Sequence, residues 1–152
     1  MIHAYSELYL EKAQVALGDM LHYAVYDLKM DLTRFYKMFL SSGIARSFGN
    51  GEPAYTVGMS GYELAMNVIH SVTGNYPDVM PEYAYHKTPE YWTGWAVAYY
   101  EWYSSTPFDR IEEKVPIREI IEMYDPYHEE DITNFVNAMN KRMKEQNHFH
   151  KR

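Results

Sequence analysis

Residues 88–108 read TPEYWTGWAVAYYEWYSSTPF, and eight of these twenty-one positions are aromatic. All three tryptophans of the chain, Trp92, Trp95 and Trp102, fall within it. Thr88-Pro89-Glu90 opens the stretch in helical order: a capping hydroxyl, a proline at the first helical position and an acid in the first turn. Ser104, Ser105, Thr106 and Pro107 close it, so the spacing predicts a helix over 88–104. Trp92, Trp95, Tyr99 and Trp102 follow one another at steps of three, four and three, which makes a single stripe. Gly94 and Ala98 form an adjoining line along which another helix can approach closely. A helix of this kind belongs at the centre of a helical core, with tyrosine and indole polar groups reaching partners at its edge. Tyr91, Tyr100 and Tyr103, which the stripe cannot bury, are with Trp95 the candidates for a ligand or partner face. A membrane anchor is excluded, because Thr93 and Glu101 interrupt the apolar run and no basic face accompanies it.

The same helical period extends outward in both directions. Leu10, Ala13, Leu17, Met20, Leu21, Ala24, Val25 and Leu28 lie at steps of three and four, one face of a long N-terminal helix of about 24 residues. Gly18 inside it costs about 1 kcal/mol relative to alanine, and marks a close helix approach. Asp31 is placed to cap a second helix with Leu32, Phe35, Tyr36, Phe39, Leu40 and Ile44 inward. The stretch SFGNGEPAYTVGM at 47–59 reads as a loop. Ser60-Gly-Tyr-Glu63 then supplies a capping box for a third helix that stops at Gly74. Residues 75–87 read as an ordered loop. Pro116 and Asp125-Pro126 open two further helices, the last with Ile132, Phe135, Val136, Met139 and Met143 inward. The expected fold is all-α, a bundle of about six helices in a single domain over 1–146, followed by a frayed basic tail at 147–152.

Composition narrows the function classes. With no cysteine among 152 residues, thiolate metal sites, redox motifs and cysteine nucleophiles are closed. No basic n-region precedes an apolar stretch at the N-terminus, so a soluble, cytoplasmic protein is expected. The net charge is −7, and five of the fourteen basic residues lie in the last twelve positions. The first 140 residues therefore carry −11, which repels phosphate backbones and makes nucleic acid an unfavourable partner. A DNA-binding regulator, the last alternative, would have to rely on the basic tail alone.

Two further candidate sites follow from residue type and spacing. The glycines of 47–61 precede a helix start, where backbone N–H groups can receive an anion, and point to Tyr55 and Ser60 as small-ligand residues. The segment lacks the lysine and Ser/Thr pair of a phosphate-binding loop, and FGNG lacks the flanking histidine and arginine of a Fic motif. Glu119 and Glu122 form an ExxE pair of the sort that holds magnesium in helical nucleotide pyrophosphohydrolases, and so carry the alternative of a magnesium-dependent nucleotide-binding or nucleotide-hydrolysing protein. The seven histidines supply no catalytic constellation. Nothing resembles a nucleophile elbow, and a Ser-His-Asp arrangement stays open at this point.

The stretches YLEKAQVALGDMLHYAVYDL, FYKMFLSSGIARSFGNGEPAYTVGMSGYELA, PEYWTGWAVAYYEWY and PIREIIEMYDPYHEEDITNFVNAMN together cover most of residues 5–140. In them the chain resembles a family of small all-helical bacterial proteins that is associated with toxin-antitoxin-like gene neighbourhoods. The resemblance brings no catalytic residue. It implies a non-enzymatic protein-interaction module, an antitoxin or immunity-like accessory that engages a protein partner or a second copy of itself.

Overall fold

The computed structural model describes residues 2–82 and 88–150, with side chains as far as Glu145. Helix α1 (Leu10–His22) follows a 3-10 turn at Glu7–Tyr9 and runs on into a π-helical turn at Tyr23–Asp27. Leu28 N–H bonds to the Tyr23 carbonyl at 3.0 Å, and Lys29, at φ 58°, turns the chain out of the helix. Then come α2 (Leu32–Ser41), α3 (Ile44–Gly49), α4 (Pro53–Thr56), α5 (Gly61–Thr73), α6 (Pro89–Ser104), α7 (Phe108–Lys114), α8 (Ile117–Glu122), α9 (Tyr124–Tyr127) and α10 (Ile132–His150). The described residues contain no strand. The expected segments at 83–87 and 151–152 lie outside the described residues, as do the side chains of 146–150.

The all-α expectation and the long N-terminal helix hold, while the count of about six helices becomes ten α-helical segments among the described residues. Backbone chemistry accounts for the difference. Gly43, at φ 86°, takes a left-handed conformation between α2 and α3, so Ile44 begins a new helix instead of ending the old one. The stretch expected to be a loop winds into the end of α3 and the single turn α4, opened by Pro53. Asp125 and Pro126 sit inside the short α9 and do not open the last helix, whose start follows Asp131.

The start and stop signals work as the residue types require. Asp31 accepts from Arg34 N–H at 3.0 Å, Thr88 accepts from Tyr91 N–H at 3.1 Å, and Gly74 ends α5 at φ 81°. The capping box is complete: Ser60 Oγ accepts from Glu63 N–H at 3.2 Å, and Ser60 N–H donates to Glu63 Oε1 at 2.9 Å. The backbone and side chain of Ser60 hold the Glu63 carboxyl below its ordinary range. A depressed carboxyl stabilises above its unfolded value and loses that contribution on acidification. Ser60→Ala is therefore expected to cost about 1 kcal/mol at pH 7, and less at pH 3, in chemical denaturation.

At the centre α1 lies against α6 and α5, while α8 and α10 cover other faces of α6. The α1–α6 crossing is close because both helices present glycine. A Cβ at Gly94 would overlap the Leu17 carbonyl, and one at Gly18 would stand 2.7 Å from the Tyr91 ring. Around this crossing Leu17, Met20, Leu21, Val97 and Ala98 are fully buried. Phe35, Phe39, Phe48 and Phe108 continue the core toward α2, α3 and α7. Phe108 meets Phe39 edge-on at 5.5 Å, one of the aromatic geometries favoured by ring quadrupoles.

Candidate functional site

The buried side of α6 is the line of small residues together with Trp92 and Trp102, the two ends of the tryptophan stripe. Thr93, Gly94, Val97, Ala98 and Glu101 are enclosed, whereas Trp95 and Tyr99 are only half-buried. Glu101 continues that line one turn beyond Val97. It is 2% exposed, and its Oε1 is enclosed without a hydrogen-bond partner. Burial alone pushes its carboxyl up to about 9, so Glu101 is a neutral acid at pH 7. A neutral carboxyl can donate a hydrogen bond as well as accept one.

Glu101 forms part of the wall of a cavity of about 560 Å³, within the size range of small-molecule sites. The remaining walls come from four parts of the chain. Leu40 stands at the end of α2. Ala45, Arg46, Gly49 and Asn50 come from α3 and its end, and Pro107, Phe108, Asp109 and Arg110 from the start of α7. The N-terminal segment contributes His3 and Ala4, and Ser105 completes the lining. Arg46 and Arg110 are exposed at the mouth. Neither makes an ion pair among the described residues, where the single pair is His128 with Glu129. Asp109 accepts from Arg110 N–H at 3.0 Å.

Local sequence explains how a carboxyl can sit there. A Cβ at Gly49 would stand 3.1 Å from Glu101 Oε2, and one at Gly51, whose φ is 78°, would overlap Tyr5 Cβ. The two glycines of FGNG thus let the end of α3 close over Glu101 and Tyr5. Turn geometry and close approach account for the motif without an anion.

The N-terminal segment is latched onto the end of α6. Ala4 N–H donates to the Trp102 carbonyl at 3.0 Å, Trp102 Nε1–H to the Tyr5 carbonyl at 2.8 Å, and Ser105 Oγ–H to the Ile2 carbonyl at 2.8 Å. His3 stacks on Trp102 at 3.9 Å, with its Nδ1 at 3.1 Å from the Tyr103 carbonyl. The enclosed Tyr5 hydroxyl has no hydrogen-bond partner, and burial together with nearby Glu101 raises its ionisation far above the ordinary tyrosine range. Tyr36 is raised in the same way by burial and then by Glu112, Glu101 and Asp109.

None of the residues singled out from sequence lines this cavity. Tyr100 is buried, and its hydroxyl donates to Asn140 Oδ1 at 2.7 Å. Tyr91 is half-buried against Gly18, where burial and then Asp19 push its hydroxyl up to about 12. Tyr103 stacks with Tyr99 at 6.1 Å, and the Trp95 carbonyl accepts from Gln14 Nε2–H at 3.3 Å. These four therefore do not form one outward aromatic face. Tyr55 packs against the core. Ser60 lines a second groove of about 550 Å³ beside Leu8, Lys12 and Val15, with its hydroxyl and N–H engaged in the cap. Glu119 is half-buried and Glu122 exposed on α8, and among the described residues no three His, Asp or Glu side chains gather closely enough to hold a metal ion. No helix among the described residues is long and apolar enough to cross a membrane.

Sequence reasoning passed over Glu101 as an interruption of an aromatic run. Its spacing from Gly94 and Val97, seven and four residues earlier, was the available signal: a lone acid on the small-residue face of a core helix. Comparison with known proteins adds nothing further, since no family model, curated protein or solved structure matches this chain.

Proposed function

We propose that this chain is a non-catalytic small-molecule-binding protein whose site is the Glu101 cavity. The observation that carries the proposal is Glu101 itself, 2% exposed, without a hydrogen-bond partner and lining a cavity of about 560 Å³. A buried polar group left unpaired costs about 1–3 kcal/mol, so a fold that keeps one at the wall of a ligand-sized space has an evident use for it. Catalysis has no comparable support, because Ser105, the hydroxyl of the lining, gives its proton to the Ile2 carbonyl, and the His3 Nδ1 beside it is engaged with the Tyr103 carbonyl. The test is a thermal-shift screen of metabolite-sized compounds against the wild type and Asn50→Trp, a substitution chosen to add bulk at an exposed position of the cavity lining. A ligand at one hundred times its Kd should stabilise the wild type by about 2.7 kcal/mol and leave Asn50→Trp unmoved. Equal shifts in both proteins, or none in either, would overturn the reading.

A second reading is the interaction module expected from sequence. Leu8, 88% exposed, and Val15, 39% exposed, flank the second groove and offer apolar surface to a partner helix or a second copy. An antitoxin or immunity-like role would be one form of it. Light scattering across a hundredfold range of concentration, with Leu8→Glu as the comparison, tests self-association, and co-expression with the products of adjacent genes tests a hetero-partner.

A further inference from the structure

The cavity lining says more about its occupant than size alone. Two guanidinium groups, Arg46 and Arg110, stand at its mouth against the single carboxylate of Asp109, in a protein whose net charge is −7. Asp109 is already engaged by a backbone N–H, while neither arginine has an ion-pair partner among the described residues. Guanidinium groups recognise carboxylates and phosphates through parallel N–H donors. In the same lining, but buried where the arginines are exposed, Glu101 presents an enclosed oxygen with no hydrogen-bond partner, and Leu40, Ala45 and Phe108 supply apolar wall.

We infer that the occupant is a small organic anion, its charged end held by Arg46 and Arg110, with a carbonyl or hydroxyl oxygen at its other end that accepts the Glu101 proton. This rests on the reading of the cavity as the binding site, and names the chemistry of what enters it. The neutral state of the Glu101 carboxyl fits that role, since an ionised Glu101 would repel the anion and could not donate. A cationic occupant would instead have to pass two arginines and ionise the acid.

The experiment uses three open-chain 4-oxopentyl probes: 4-oxopentanoate, the neutral N,N-dimethyl-4-oxopentanamide, and the cationic tertiary amine 5-(dimethylamino)pentan-2-one, whose methyl groups block ring closure onto the ketone. Each is titrated at pH 7 into the ¹⁵N-labelled full chain, and binding is read from the amides of residues 45–50 and 101–110. The anion should bind at least about tenfold tighter than the amide, an increment within the range of charge-assisted hydrogen bonds. The Arg46→Gln/Arg110→Gln double variant should bring the anion down to the level of the amide. Both arginines are exposed, so the substitutions leave the core alone, and unchanged amide dispersion verifies this. Glu101→Leu should weaken the anion and the amide alike, because both need the proton at the far end. Tighter binding of the amine, or an anion affinity indifferent to the arginines, would overturn the inference while leaving the cavity as a site. Failure of every probe to move these amides would overturn both.

Discussion

Replacing Glu101 with glutamine is expected to raise stability at pH 7 by about 3 kcal/mol. In the unfolded chain this carboxyl ionises near its ordinary value of 4.5, whereas burial holds it up to about 9 in the fold. Between those values the native state keeps a proton that the unfolded state has released. Stability therefore falls as pH rises, by about 1.4 kcal/mol for each unit of difference. Glutamine matches the neutral acid in shape, carries an acceptor oxygen and donor hydrogens on the same two positions, and cannot ionise, so the variant escapes that loss. The gain should be absent at pH 4, grow through neutrality, and level off above pH 9. Urea denaturation of both proteins at each pH isolates Glu101 from the other titrating groups, since those are shared. A residue that weakens the fold at working pH is what a site kept for ligand looks like, because stability and function trade against each other there.

The second large effect is at the helix crossing. Gly94→Ala is expected to cost about 3 kcal/mol or more, the reverse of the gain of about 1 kcal/mol that alanine brings to an exposed helix. The added methyl would overlap the Leu17 carbonyl, and backbone cannot swing aside as a side chain can. The two central helices must separate, and every contact between them weakens. Gly18→Ala should cost less, because the nearest atoms there belong to the Tyr91 ring, although the Tyr91 carbonyl at 2.9 Å limits how far the methyl is accommodated. Thermal unfolding of the two variants beside the wild type ranks them. A Gly94→Ala protein as stable as the wild type would mean that α1 and α6 do not cross as described.

How the fold could be read from the chain depends on the range of the interactions involved. Caps and stops act within four residues, and Asp31, Ser60 with Glu63, Thr88 with Pro89, and Gly74 each do what their side chains require locally. The close approach at Gly18 and Gly94 was legible too, since a helical glycine has few other uses. Helix number was harder. Nothing in the apolar period at 32–44 shows that Gly43 turns left-handed, because Ile44 continues the stripe on either side of the break. The tryptophan stripe gave the right helix and is buried at its ends, Trp92 and Trp102, but its middle, Trp95 and Tyr99, is only half-buried, because the closest helix approach runs along the small residues beside it.

The site was less legible, for the same physical reason. Its walls come from residues near 3, 40, 46, 101 and 110, which only the packed fold brings together. Whether Glu101 has a partner depends on whether an arginine reaches it, and composition offers fourteen cations without saying where they point. Ser60 and the glycines around it looked like anion chemistry, but capping and close packing use them fully.

The central claim is that Glu101 is a neutral acid held unpaired in the wall of a ligand-sized cavity, and its own titration tests this most directly. Carboxyl carbon shifts of protein labelled with ¹³C at glutamate Cδ, followed from pH 3 to 10 and assigned by the resonance missing from Glu101→Gln, give the ionisation of this one group. A carboxyl still protonated at pH 7 and titrating near 9 is the predicted result. Titration between 4 and 5 would mean that Glu101 is solvated or paired, and would contradict the account of the site.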